Sequence, residues 1–70
     1  MMPQTSRKTV IETTQIKKGD TTVTTSRFVR RLVYNDNGNQ YVKYMGQHLA
    51  LTPHPLMGMP VYVITKDLTG

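Results

Sequence analysis

From Arg7 the chain reads Arg-Lys-Thr-Val-Ile-Glu-Thr-Thr-Gln-Ile, with β-branched residues set among polar ones. That pattern predicts a first strand ending near Ile16. Lys17-Lys18-Gly19-Asp20 follows, where a type I turn with Gly19 in the left-handed position would close a short hairpin. Thr21 to about Tyr34 predicts a second strand, long enough to expect a bend or bulge near Ser26-Arg27. A short helix capped by Ser26, pairing Phe28 with Leu32 and Val29 with Val33, is the competing reading for this stretch. Its β-branched content favours the strand.

Asn37-Gly38 lies between two apolar runs and predicts a two-residue hairpin turn, because both residues accept positive φ. Tyr34 then faces Tyr41, Val33 faces Val42, Leu32 faces Lys43 and Arg31 faces Tyr44. Cross-strand partners share a face. One face therefore carries Phe28, Leu32, Tyr34, Tyr41 and Met45, and the other carries Val29, Arg31, Val33, Val42 and Tyr44. Neither face is cleanly polar, as a hairpin with one wet side would be. The hairpin is expected either within a curled, barrel-like sheet or with its second face against another chain.

A third strand runs from Gln40 to about Leu51, with a kink expected at Gly46-Gln47. Thr52 to Pro60 holds three prolines and a glycine, which argues against regular structure there. Val61 to Lys66 is the last strand. Met1 to Ser6 is expected to be a disordered tail, and residues 7–70 one small domain. The fold class expected is all-β: a four- to five-stranded antiparallel meander forming an SH3-like or OB-like partly open barrel.

Composition strengthens the β reading and narrows the function. Eleven residues are Thr, several in pairs: Thr13-Thr14, Thr21-Thr22 and Thr24-Thr25. Such stiff side chains suit a pleated sheet. Seventy residues without cysteine leave a thin core and no disulfide to support it, so a homodimer is one expected remedy. The N-terminal stretch lacks the apolar run of a signal peptide, and Tyr44 to Thr65 is too broken by Gly, Pro, Gln and His to span a bilayer. A soluble protein of the cytoplasm is expected, with no membrane partner.

Catalysis has few candidates. The carboxylates are Glu12, Asp20, Asp36 and Asp67, two of them in turns, and no pair is recognisably placed for acid/base work. His48 and His54 alone fall short of the ligands a zinc site takes, so no metal and no cofactor is expected. A non-enzymatic protein is the reading that follows.

Charge points to a partner. The net charge is +5, and such a field draws polyanions. Arg7, Lys8, Lys17, Lys18, Arg27, Arg30 and Arg31 precede residue 40 against Glu12, Asp20 and Asp36; Lys43 and Lys66 follow against Asp67. A basic sheet with tyrosines is a platform for nucleic acid, cations holding phosphates and rings stacking on bases. The candidate residues are Lys17, Lys18, Arg27, Arg30, Arg31 and Lys43 for phosphates, with Tyr34, Tyr41 and Tyr44 for stacking. Ile16-Lys17-Lys18-Gly19-Asp20 resembles the opening of the KOW motif of SH3-like ribosomal and transcription proteins, although the motif's later glycines are missing.

The stretch from Tyr44 to Thr65 carries no Asp, Glu, Lys or Arg. Within it Leu56, Met57 and Met59 sit in a proline-stiffened frame suited to docking on a protein. The alternative function is thus a small inhibitor or adaptor acting on a nucleic-acid-binding protein. It would be of the compact kind that phages and plasmids encode, anti-CRISPR or anti-restriction roles included. A structural subunit that oligomerises through its second apolar face is a further alternative.

Overall fold

In a computed structural model that describes residues 4–68, two long strands set the frame. β1 (Gln4–Lys18) and β2 (Thr21–Asp36) pair antiparallel along their whole length, from Gln4 opposite Asn35 to Lys18 opposite Thr21. The register never slips, so the bulge expected at Ser26-Arg27 is absent. Ser26 to Tyr34 is strand, not helix: Val29, Val33 and their neighbours have a cross-strand partner at every position. The hairpin closes through Gly19-Asp20 alone, with Gly19 at φ 57. That is a two-residue loop with glycine first, and it replaces the type I turn expected there. β1 starts earlier than expected, because Gln4, Thr5 and Ser6 pair with Asn35, Tyr34 and Val33. The rest of the expected tail lies outside the described residues.

The next strands are β3 (Asn39–Tyr44), β4 (Gln47–Ala50), β5 (Thr52–Pro53) and β6 (Pro60–Asp67). Asn37 and Gly38 both take positive φ, 55 and 83, and Asn35 Oδ1 accepts the Gly38 N–H at 3.0 Å. Tyr34 faces Tyr41 as expected, and the β2–β3 ladder ends at that pair. Beyond it β2 stays with β1 while β3 curls away. At Gly46 the chain reverses instead of kinking. Met45 (φ 48) and Gly46 (φ 80) form a second tight turn, and Tyr44 pairs with Gln47. The single third strand is thereby two.

An exposed Met in left-handed backbone is costly, because its Cβ crowds the following carbonyl. Met45→Asn restores the Asn-Gly pair that such turns prefer. It is expected to raise stability by about 1 kcal/mol, read as a rise of roughly 4–8 °C in melting temperature.

The chain then crosses to the other side of the sheet. β6 pairs parallel with β1, from Ile11 opposite Val61 to Lys17 opposite Asp67, and Thr52-Pro53 adds a short strand against Pro60-Val61. The order is β4-β3-β2-β1-β6-β5 in one mixed sheet, curled into a half-barrel. The all-β, partly open barrel is as expected. The purely antiparallel meander is not, since β6 runs parallel to β1 on the far side of the first hairpin. The proline-rich stretch is also less irregular than expected: besides β5, His54 and Met59 share a backbone bond, as do Gly58 and His54.

Curling decides which face is inside. Val10, Val33, Val42, Tyr62 and Ile64 form the core on the concave face, with Val29, Tyr44, Leu49 and Leu51 packed against them. Phe28 and Leu32 are exposed on the convex face, and Met45 is exposed in the turn between β3 and β4. Ile11 shares Phe28's face yet is buried; His54 and Met57 from the 54–59 loop help line a hollow of about 160 Å³ over it. Where β4 approaches β6 without pairing to it, an open cleft of about 360 Å³ remains between Tyr44, Leu49, Val63 and Ile64. No helix among the described residues is long and apolar enough to cross a membrane.

Candidate nucleic-acid interface

Alternation along β2 places Phe28, Arg30, Leu32 and Tyr34 on the convex face. Their β1 partners Ile11, Thr9, Arg7 and Thr5 lie beside them, and Tyr41 continues the Tyr34 row on β3. Because β4 folds back through Met45-Gly46, His48 stands opposite Lys43 on the same face.

Three rings then stack in a row. Tyr34 and Tyr41 lie 5.2 Å apart at an interplanar angle of 11°, and Tyr41 and His48 lie 4.7 Å apart at 20°. Lys43 Nζ sits 4.7 Å from the centroid of Tyr34, in range of the ring's negative face. Both neighbours of Tyr41 are thus rings, and Tyr34 is covered by Tyr41 and Lys43. His48, exposed on edge strand β4, ends the row. Arg7 and Arg30 flank Leu32 on the adjoining part of the face, while Asp36 at the turn sets one carboxylate near the rings.

The concave face holds a different arrangement. Glu12 is buried at 4% exposure, and its carboxylate accepts from three side chains. Arg27 Nε donates to Oε1 at 3.0 Å, Arg31 Nη2 donates to Oε2 at 3.2 Å, and the Tyr62 hydroxyl donates to Oε2 at 2.5 Å. Arg31 Nε in turn donates to the Tyr62 oxygen at 3.2 Å. Burial is the largest single influence on the Glu12 carboxyl and pushes its pKa up. The hydrogen bonds from Tyr62, Arg27 and Arg31, with the charge of Arg27, outweigh it and hold the group below the usual carboxylate range. Tyr62 is pushed up, first by burial and then by its bond to Glu12. The cluster ties β1, β2 and β6 together.

The residues expected to bind nucleic acid are therefore divided. Arg30, Tyr34, Tyr41 and Lys43 come together on the convex face. Arg27 and Arg31 turn to Glu12 on the concave face, and Tyr44 packs against the core. Lys17 and Lys18 lie at the tip of the first hairpin, roughly 40 Å along the strand from Tyr34. Arg7 and His48 join the face without having been expected there. Of the loop residues, Leu56 is 91% exposed, Met57 is half exposed beside Ile11 and Phe28, and Met59 is partly covered. His54 organises that loop, its Nδ1 accepting the N–H groups of Leu56 and Met57 at 3.2 Å each. No group of three or more acidic, His or Cys side chains that could hold a metal ion gathers among the described residues.

Fold and face together define a small β half-barrel with a cationic, ring-bearing convex side. No protein-family model matches the chain, and no curated protein or solved structure matches it either.

Proposed function

We propose that the convex face binds single-stranded nucleic acid and that the protein acts by binding alone. The observation that carries this reading is the stacked row Tyr34–Tyr41–His48 beside Lys43, Arg30 and Arg7. An unpaired base continues the row on the free side of His48. The three cations hold the phosphates that lead away from it. Stacking requires a base withdrawn from a duplex, which favours a single strand over a double one. Every base has a π-face to lay on the His48 ring, so the reading implies little sequence preference.

Fluorescence anisotropy with labelled single- and double-stranded oligonucleotides tests it. Three phosphate contacts on a single strand give a slope near −2 in log K against log salt. Affinity is then expected to fall about 20-fold between roughly 50 and 200 mM salt. Absence of binding at low salt would refute the proposal.

A second reading is favoured by Leu56 and Met57, which stand exposed from a loop braced by His54. In it the loop anchors a nucleic-acid-binding protein, and Met57→Asp abolishes partner capture while the fold survives.

A further inference from the structure

The ladder between β2 and β3 stops at Tyr34, so among the described residues β2 from Thr21 to Val33 has no strand on its second side. This is the longest unpaired edge among the described residues. It is also a regular one, with no Pro, no Gly and no bulge to blunt it. The two-residue loop Gly19-Asp20 makes Lys18 and Thr21 a hydrogen-bonded pair, and bonding alternates from there. The Lys17 carbonyl agrees with that phase, since it turns away from β2 to accept the Leu68 N–H. Thr22, Thr24, Ser26, Phe28, Arg30 and Leu32 therefore direct their N–H and C=O groups outward.

We infer that a second copy of this chain pairs antiparallel along that edge, with the two-fold axis at Ser26. The sequence of β2 is complementary to itself in this register. Its arginines all lie after Ser26 and its threonines all lie before it. Antiparallel pairing about Ser26 sets Arg27 opposite Thr25, Arg30 opposite Thr22 and Arg31 opposite Thr21. No two like charges then stand directly opposite, which would oppose pairing. Val23 meets Val29, and Phe28 meets Thr24. The outward-facing residues also pair with one another, Thr22 with Arg30 and Thr24 with Phe28, as hydrogen bonding requires.

The next registers toward the C-terminal end of β2 are worse. An axis at Arg27 sets that cation against its own copy. An axis at Phe28 carries the partner's Thr21 and Thr22 to Asn35 and Tyr34, where β3 is already bonded. The Ser26 register ends at Arg31, short of that obstacle. It adds a continuous sheet to a chain whose core is small, where a partner chain is a common source of stability.

The absence of cysteine makes the register measurable. Ser26→Cys places the two new thiols across the axis, about 5.5 Å apart at Cα and within disulfide geometry. Thr24→Cys and Phe28→Cys each stand several residues from their own copies. Oxidation is expected to cross-link Ser26→Cys alone, and sedimentation of the unmodified protein is expected to give a dimer at rising concentration. Ser26→Pro removes an N–H that the single chain leaves unbonded, so it is expected to stay folded by circular dichroism and sediment as a monomer. Thr25→Pro removes a bond to β1 and is expected to unfold. A strict monomer at every concentration, cross-linking at residue 24 or 28 instead of 26, or a folded Ser26→Pro dimer would each overturn the inference.

Discussion

Glu12→Ala is expected to cost about 3 kcal/mol, enough to leave the chain barely folded at room temperature. A domain of this size has roughly 3–10 kcal/mol in hand. The substitution leaves the buried Tyr62 O–H without its acceptor and removes the anion that holds Arg27 and Arg31 on the concave face. The lower end of the range for broken buried pairs applies, because both guanidinium groups keep access to water. Arg27→Ala is expected to cost under about 1 kcal/mol, since its side chain is 68% exposed and its pair with Glu12 is screened. Arg31→Ala falls between, as its side chain is 37% exposed and also loses the bond to Tyr62. Chemical denaturation of the three variants checks that order.

The same carboxylate gives a pH signature. Its folded pKa lies below the unfolded value, so its contribution is fully present above the ordinary carboxylate range. That contribution is lost as pH falls through the folded pKa. Melting temperature should therefore drop on acidification, and the drop should be smaller in Glu12→Gln. An identical acid limb in both proteins would mean that Glu12 does not set it.

The second large effect belongs to the convex face. Arg30→Glu with Lys43→Glu is expected to weaken oligonucleotide binding at least tenfold at about 150 mM salt and to flatten the salt slope by about 1.4. Both side chains are exposed and neither serves the core, so melting should change little. His48→Ala should lose about 1 kcal/mol, roughly fivefold in affinity, by removing the surface on which a base stacks. His48→Phe should restore it, since a flat ring is what the stack needs. Asp36→Asn should act in the opposite direction and tighten binding. Arg27→Ala, on the other face, serves as the control that leaves affinity unchanged.

Asn37-Gly38 announced its turn, and with it the Tyr34–Tyr41 pair and the division of β2 into two faces. Those features are encoded by neighbours. The Met45-Gly46 turn was hidden because methionine gives no local sign of left-handed backbone; only the pairing of Tyr44 with Gln47 reveals it. His48 was lost with it, for its place beside Tyr41 depends on that reversal. Glu12 looked like one polar residue among threonines. Its partners Arg27 and Tyr62 lie 15 and 50 residues away, and the second is brought close by a parallel pairing that leaves no local trace. The division of the arginines follows from the same pairing: alternation separates Arg30 from Arg27 and Arg31, but only burial of Glu12 says which side is wet.

That parallel pairing also governs the order of assembly. Four antiparallel pairings, β1–β2, β2–β3, β3–β4 and β5–β6, join neighbours in the chain, and hairpins of this kind form in about 1–10 μs. β6 must close a loop of some fifty residues to reach β1, and such closure is entropically the costliest step. Until it docks, Val10 and Val33 lack Tyr62 and Ile64, and Glu12 lacks one of its three donors. The β6 strand is therefore the bottleneck of folding, and a ribosome-bound chain cannot complete its core before that last strand has emerged.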